Sequence, residues 1–182
     1  YIDGAEVGTC DSLCSTHRYD ISSYMTAGTH EIVIRVANVG YKTGGGHMTS
    51  PDTQTNWLGI VGNMNVEIYP KSYISDVRVI ASADGSLSVR GTANGADNAV
   101  VTATVTAPGG IRVLKANIIA DGDTFEAEFR LENAQLWDEF ERNIYSLELR
   151  CGEDIFSTSF GFVTFSNNDR KLLVNGSEAF LR

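Results

Sequence analysis

Between residues 76 and 165, apolar side chains recur at every second position, and each run is cut short by a glycine or asparagine turn pair. Period two is the pleat of a β-strand, because successive side chains leave opposite faces of the backbone. Strands are predicted over 76–83, 86–92, 99–107, 111–119, 124–131, 144–151 and 155–165. Between them stand Asp84-Gly85, Asn94-Gly95, Pro108-Gly109-Gly110, Asp121-Gly122-Asp123 and Gly152, residues that accept the backbone angles of tight turns. Phe125, Ala127, Phe129 and Leu131 fall on one face of their run, and Glu126, Glu128, Arg130 and Glu132 on the other. Short alternating strands with frequent turns predict an immunoglobulin-like β-sandwich. The Cys…Trp…Cys spacing of antibody domains is absent, so the expectation concerns architecture alone. Helical periodicity is nearly absent, and the fold class is all-β.

The first 70 residues are less regular. Asp3-Gly4 marks a turn, and Asp20 is a plausible cap for one helical turn over 21–25, ended by Gly28. Residues 31–38 alternate, with Ile32, Ile34 and Val36 on one face, and predict a half-buried strand. Met64, Val66 and Ile68 predict another, ending at Pro70. Between them, 39–56 lose all periodicity. A loop that long inside a compact domain is usually functional or disordered. So few strands do not close two packed sheets. Upstream strands or another copy of the chain would have to complete them, and a homo-oligomer is an open reading. Residues 71–75 read as a linker. At the far end, Ser166-Asn167-Asn168-Asp169 predicts a polar turn. Leu172-Leu173-Val174, Asn175-Gly176 and Phe180-Leu181 then predict a small hairpin that needs something to pack against. The domain reading is therefore 1–70, 71–165 and 166–182.

With 14 Lys and Arg against 23 Asp and Glu, the formal charge is −9. No basic cluster exists to neutralise phosphates, so no nucleic-acid partner is expected. No apolar run approaches the ~18 residues of a transmembrane helix, and no membrane partner is expected either. Tyr1 opens the chain without a leader, which reads as a start inside something longer. Cys10 and Cys14 are close enough in sequence to join, while Cys151 extends the alternation of Leu147 and Leu149 and reads as a buried thiol. The compartment stays open, with periplasmic or secreted favoured over cytoplasmic.

Chemistry is sparse. His17, His30 and His47 are scattered, and no nucleophile elbow, phosphate loop or dinucleotide fingerprint appears, so no cofactor is expected. His30 reads as structural. Glu126 and Glu128 share a solvent face, Asp121 and Asp123 belong to a turn, and Asp138, Glu139 and Glu141 form a charged loop. Each is the ordinary surface use of a carboxylate. Binding character concentrates in 47–57, with His47, Asp52, Gln54, Asn56 and Trp57. Planar polar side chains beside an aromatic face suit a sugar ring. The competing reading makes Trp57 a plug for the sandwich and the polar groups ties within the loop. Trp137 reads as a core plug.

Several spacings together resemble family 2 glycoside hydrolases, the β-galactosidase, β-glucuronidase and β-mannosidase group. Tyr1-Ile2-Asp3-Gly4 with Val7-Gly8 resembles the family's Asn-Gly turn, with Asp3 in place of Asn. Tyr19-Asp20-Ile21, Gly28, His30-Glu31-Ile32, Ile34, Val36 and Asn38 resemble the next part of its sugar-binding domain, and His30 stands where Asn is common. Trp57-Leu58-Gly59-Ile60 and Tyr73-Ile74-Ser75-Asp76-Val77 continue the likeness. So do Leu136-Trp137, Ile144-Tyr145-Ser146-Leu147 and Phe160-Gly161-Phe162, although Val163 replaces a common Arg and a usual proline is missing. Leu172 to Gly176 and Phe180-Leu181-Arg182 resemble the hairpin that enters the catalytic barrel. The resemblance implies part of a jelly-roll sugar-binding domain, then an immunoglobulin-like domain, then the entrance to a (β/α)₈ barrel. The family's catalytic glutamates lie on that barrel, so no catalytic residue is carried over. The resemblance points to Gln54 and Asn56, which with Trp57 and His47 from the same polar stretch are the substrate-binding candidates, and it implies carbohydrate as partner of a β-galactosidase-like parent. The rival expectation is a stand-alone carbohydrate-binding or adhesive module, and residues 71–165 alone also fit a structural spacer.

Overall fold

A computed structural model describes residues 1–12, 15–37, 59–95 and 97–179, and the chain divides into two compact units, Tyr1–Val66 and Glu67–Arg182. The second unit is built from β1 (Tyr73–Ala81), β2 (Ser86–Asn94), β3 (Val100–Thr106), β4 (Arg112–Ile119), β5 (Thr124–Arg130), β6 (Tyr145–Cys151) and β7 (Asp154–Phe160). These form a three-stranded sheet in the order β1-β2-β5 and a four-stranded sheet in the order β4-β3-β6-β7. All pairings are antiparallel. The chain changes sheet after β2, β4 and β5, the crossing pattern of an immunoglobulin-like sandwich.

The alternation in sequence becomes alternation in burial. Along β6, Tyr145, Leu147, Leu149 and Cys151 are buried, while Ser146 and Arg150 are exposed. Leu87, Val89 and Phe125 from one sheet share a core with Val101, Val105, Leu147 and Leu149 from the other. Each such side chain contributes about 1.5–3 kcal/mol by leaving water. Between β1 and β2, Gly85 (φ 85°) turns the chain with its N–H bonded to the Ser82 carbonyl. A Cβ there would lie 2.3 Å from the Leu131 carbonyl oxygen, so a side chain is excluded on two grounds.

Three expectations are corrected at the ends of this unit. The strand predicted over 155–165 is two strands, because β7 stops at Phe160 and Phe165 opens β8 (Phe165–Asn168). The polar run 166–169, predicted as a turn, is mostly strand. Asn167 and Asn168 pair with Leu172 and Lys171 of β9 (Lys171–Val174), leaving Asp169-Arg170 to turn, with Asp169 at φ 50°. Cross-strand hydrogen bonds outweigh the low strand preference of asparagine. Tyr73 to Ser75, predicted as linker, begin β1: Ile74 is core, and its N–H donates to the Asp154 carboxylate at 2.8 Å. The predicted terminal hairpin is present, with β9 turning at Asn175-Gly176 (φ 50° and 82°) into β10 (Ser177–Glu178). Its expected partners Phe180, Leu181 and Arg182 lie outside the described residues.

The first unit has the predicted turn at Asp3-Gly4 (φ 48° and 81°), closed by reciprocal Ile2–Ala5 backbone bonds of 2.9 Å. Ile2 also bridges Ile32. The Asp20 carboxylate accepts from Ser22 N at 2.9 Å, and one turn follows as the Tyr24 and Met25 amides bond to the Ile21 carbonyl. The two predicted strands are corrected. Among described residues of 31–38 only Ile32 makes a bridge, and 64–68 make none. Ile34 is 57% and Met64 68% exposed, so neither run is half-buried. Alternation decides which face would be covered, but a ladder needs a second strand to bond to.

Candidate functional site

The four substrate-binding candidates, His47, Gln54, Asn56 and Trp57, lie outside the described residues, as do Asp52 and Cys14, the expected partner of Cys10. The described residues do contain two polar clusters.

The first joins the opening turn to the segment after Gly28. Asp3 Oδ2 lies 2.6 Å from His30 Nδ1, and Asp3 Oδ1 accepts from Glu31 N at 2.8 Å. The other ring nitrogen, Nε2, is 2.9 Å from the Thr26 carbonyl oxygen. The bond to His30, followed by that from the Glu31 backbone, holds the Asp3 carboxyl below its ordinary value. In return Asp3, then the Thr26 backbone, raises His30 above its own. His30 is therefore structural, as the sequence suggests.

The second cluster surrounds Phe160-Gly161-Phe162. Phe162 is fully buried and meets Tyr145 edge-on, with centroids 5.0 Å apart. Leu136 bridges Phe162 in parallel, and Trp137 N donates to the Phe162 carbonyl at 2.9 Å. A Cβ on Gly161 would come within 2.7 Å of Trp137 Cβ, so the glycine leaves room for the tryptophan side chain. Trp137 is half-buried. The Asn175 amide then clamps the terminal hairpin here, donating from Nδ2 to the Trp137 carbonyl and accepting Thr164 N at Oδ1, each at 2.9 Å. Asp138 closes the adjacent loop, accepting Phe140 N at 2.8 Å and Glu141 N at 2.7 Å. Those backbone bonds, Glu141 first, lower its pKa.

The remaining carboxylates named from sequence have surface or turn positions. Glu126 and Glu128 are exposed and stand across the ladder from Arg90 and Ser88. Asp121 closes its turn through backbone bonds with Thr124. An open cleft of about 410 Å³ lies beside the Asp84-Gly85 turn and Arg130. Its Asp84 carboxylate accepts from Ser86 N and Oγ, at 3.0 and 2.7 Å, and faces Arg130 at 3.4 Å. Among the described residues no three His, Cys, Asp or Glu side chains group as metal ligands. Sequence reasoning placed Asp3 and His30 separately and missed their pairing. The signal was that both stand where the resembling family has Asn. The clamp made by the Asn175 side chain was likewise hidden behind its role in the turn.

No family model and no curated protein matches the chain. Solved structures do. A β-glucuronidase of Faecalibacterium prausnitzii superposes with a TM-score of 0.52 at 26% identity, covering 60% of this chain and 17% of that one. A β-glucuronidase of Bifidobacterium dentium, complexed with coumarin-3-O-glucuronide, gives 0.51 at 16% identity, covering 59% and 20%. The second likeness concerns the fold alone. The match spans about a fifth or less of each enzyme's length, and what this chain shares with that part of them is its fold.

Proposed function

We propose that this chain is the non-catalytic β-sandwich portion of a family 2 glycoside hydrolase. The parent hydrolyses a terminal glycosidic bond with retention. The observation that carries the reading is the likeness of 60% of the chain to a β-glucuronidase at 26% identity. The sequence motifs converging on the Phe160-Gly161-Phe162 junction support it. Retaining hydrolysis needs two carboxyl groups about 5–5.5 Å apart across the bond, one as acid/base and one as nucleophile. In this reading both come from a barrel that follows the hairpin, and the sandwich supports it. His47, Gln54, Asn56 and Trp57 are the residues proposed to contact the sugar. The motifs suggest a β-galactosidase-like parent, whereas the two neighbours are β-glucuronidases, and a glucuronide is the second sugar class to consider.

Assay of the 182-residue chain and of the full-length parent with chromogenic β-galactoside, β-glucuronide and β-mannoside tests this. The parent turns over one of them and the chain alone none. Hydrolysis by the chain above the buffer rate overturns the assignment of chemistry to the barrel. In the parent, Asn56→Ala raises KM roughly tenfold, the loss of about one hydrogen bond. An unchanged KM removes the loop from the site.

A further inference from the structure

We propose that Asp3 and His30 form a proton-operated clasp, which holds the opening turn against the 30–33 segment and loosens as pH rises. The inference concerns the first unit and is independent of the glycosidase reading.

The geometry offers the charged ring an acceptor on each side. His30 Nδ1 faces a carboxylate oxygen at 2.6 Å, and Nε2 faces the Thr26 carbonyl oxygen at 2.9 Å. Two acceptors on opposite sides of an imidazole are both satisfied only when both nitrogens carry protons. A neutral ring that keeps its proton on Nδ1 must turn Nε2 into an acceptor. The donor then at hand is Thr26 N, at the longer distance of 3.3 Å. The ring is well covered, with 10% of its side chain exposed against 49% for Asp3, so solvent replaces these partners poorly.

Of the other acidic residues of this unit, Glu31 meets Asp3 through its backbone N–H and Glu6 meets the Tyr24 hydroxyl through its backbone carbonyl, so neither carboxylate takes part in these bonds. Asp20 caps Ser22. Asp3 is the carboxylate that bonds the ring. Around the clasp the turn and segment share few backbone bonds: Asp3 N to the Glu31 carbonyl, and the reciprocal pair between Tyr1 and Val33. One charge-assisted pair is therefore a large part of what joins them.

The sign follows from the two directions. His30 is raised above 6.5, so its contribution is complete below that pH and is lost as pH climbs through the raised value. Asp3 is lowered below 3.8, so its contribution is complete above that pH and is lost as pH falls through the lowered value. The clasp is closed from about pH 4 to 6.5.

Nuclear magnetic resonance titration of the 182-residue chain between pH 4 and 9 tests it. The expected result is a His30 ring midpoint above 6.5, with the Asp3 and Glu31 amide shifts following the same midpoint. Asp3→Asn moves the ring midpoint back down to its ordinary value or lower, and His30→Gln abolishes the inflection at the Glu31 amide. A ring that titrates at or below its ordinary value in the unaltered chain overturns the proposal. So does a Glu31 amide that ignores the ring. Both readouts come from the unaltered chain, so a variant that fails to fold leaves the test intact.

Discussion

Residues 31–37 and strand β5 (Thr124–Arg130) carry the same alternating pattern and have opposite fates. In β5, each residue pairs with a partner on β2, and Phe125, followed by Leu131 just past the strand, enters a core closed by the second sheet. In the first unit, Ile32 makes one bridge while Val33, Ile34 and Val36 stand in solvent. Among the described residues Ile2 is the single buried apolar side chain there. The difference lies in the neighbours. An alternating strand is half of an interaction, and it gains its backbone bonds and its dry face only when another strand lies beside it and another sheet above it.

The sharpest way to break this contrast is a cavity. Phe125→Ala removes a ring packed between the sheets and lowers unfolding stability by about 3–5 kcal/mol in urea titration. Ile34→Ala, with its side chain already in water, changes it by no more than about 0.5 kcal/mol. Equal losses would mean that the first unit has a core after all. A smaller effect sharpens the picture within the second unit. Asn175→Ala frees the Trp137 carbonyl and Thr164 amide and costs about 1–3 kcal/mol. Hydrogen exchange of β8 and β9 should accelerate while β3 and β6 stay protected, and uniform acceleration would show that the hairpin is integral to the sandwich. The smallest effect is chemical. Burial, then the Asp154 charge, raises the Cys151 thiol, so iodoacetamide followed by peptide mapping labels exposed Cys10 well before Cys151. Equal rates would open the core at β6.

Much of the second unit was legible because its local signals agree with one another. Turn glycines, alternation and apolar content all mark the same boundaries, and the pairs β1–β2, β3–β4 and β6–β7 are joined by short turns. Legibility failed where a partner overrode composition. Ser166-Asn167-Asn168 look like turn residues and become strand because β9 bonds to them. Ile74 looks like linker and becomes core because β7 offers the Asp154 carboxylate to its amide. The candidate site was legible at one level only. Asn175-Gly176 announces a turn, but nothing local announces that the same amide reaches Trp137, 38 residues away.

From the sequence alone came the fold class, the inward face of most strands in the second unit, most of its turns, and the character of Cys151. These depend on side-chain period and backbone preference, which are properties of neighbours along the chain. Tertiary structure alone decided which strands share a sheet, where the hairpin is clamped, that Asp3 and His30 meet, and that the apolar runs of the first unit stay in water. Those outcomes depend on what a distant segment supplies, because hydrogen bonds and burial are contributions of pairs.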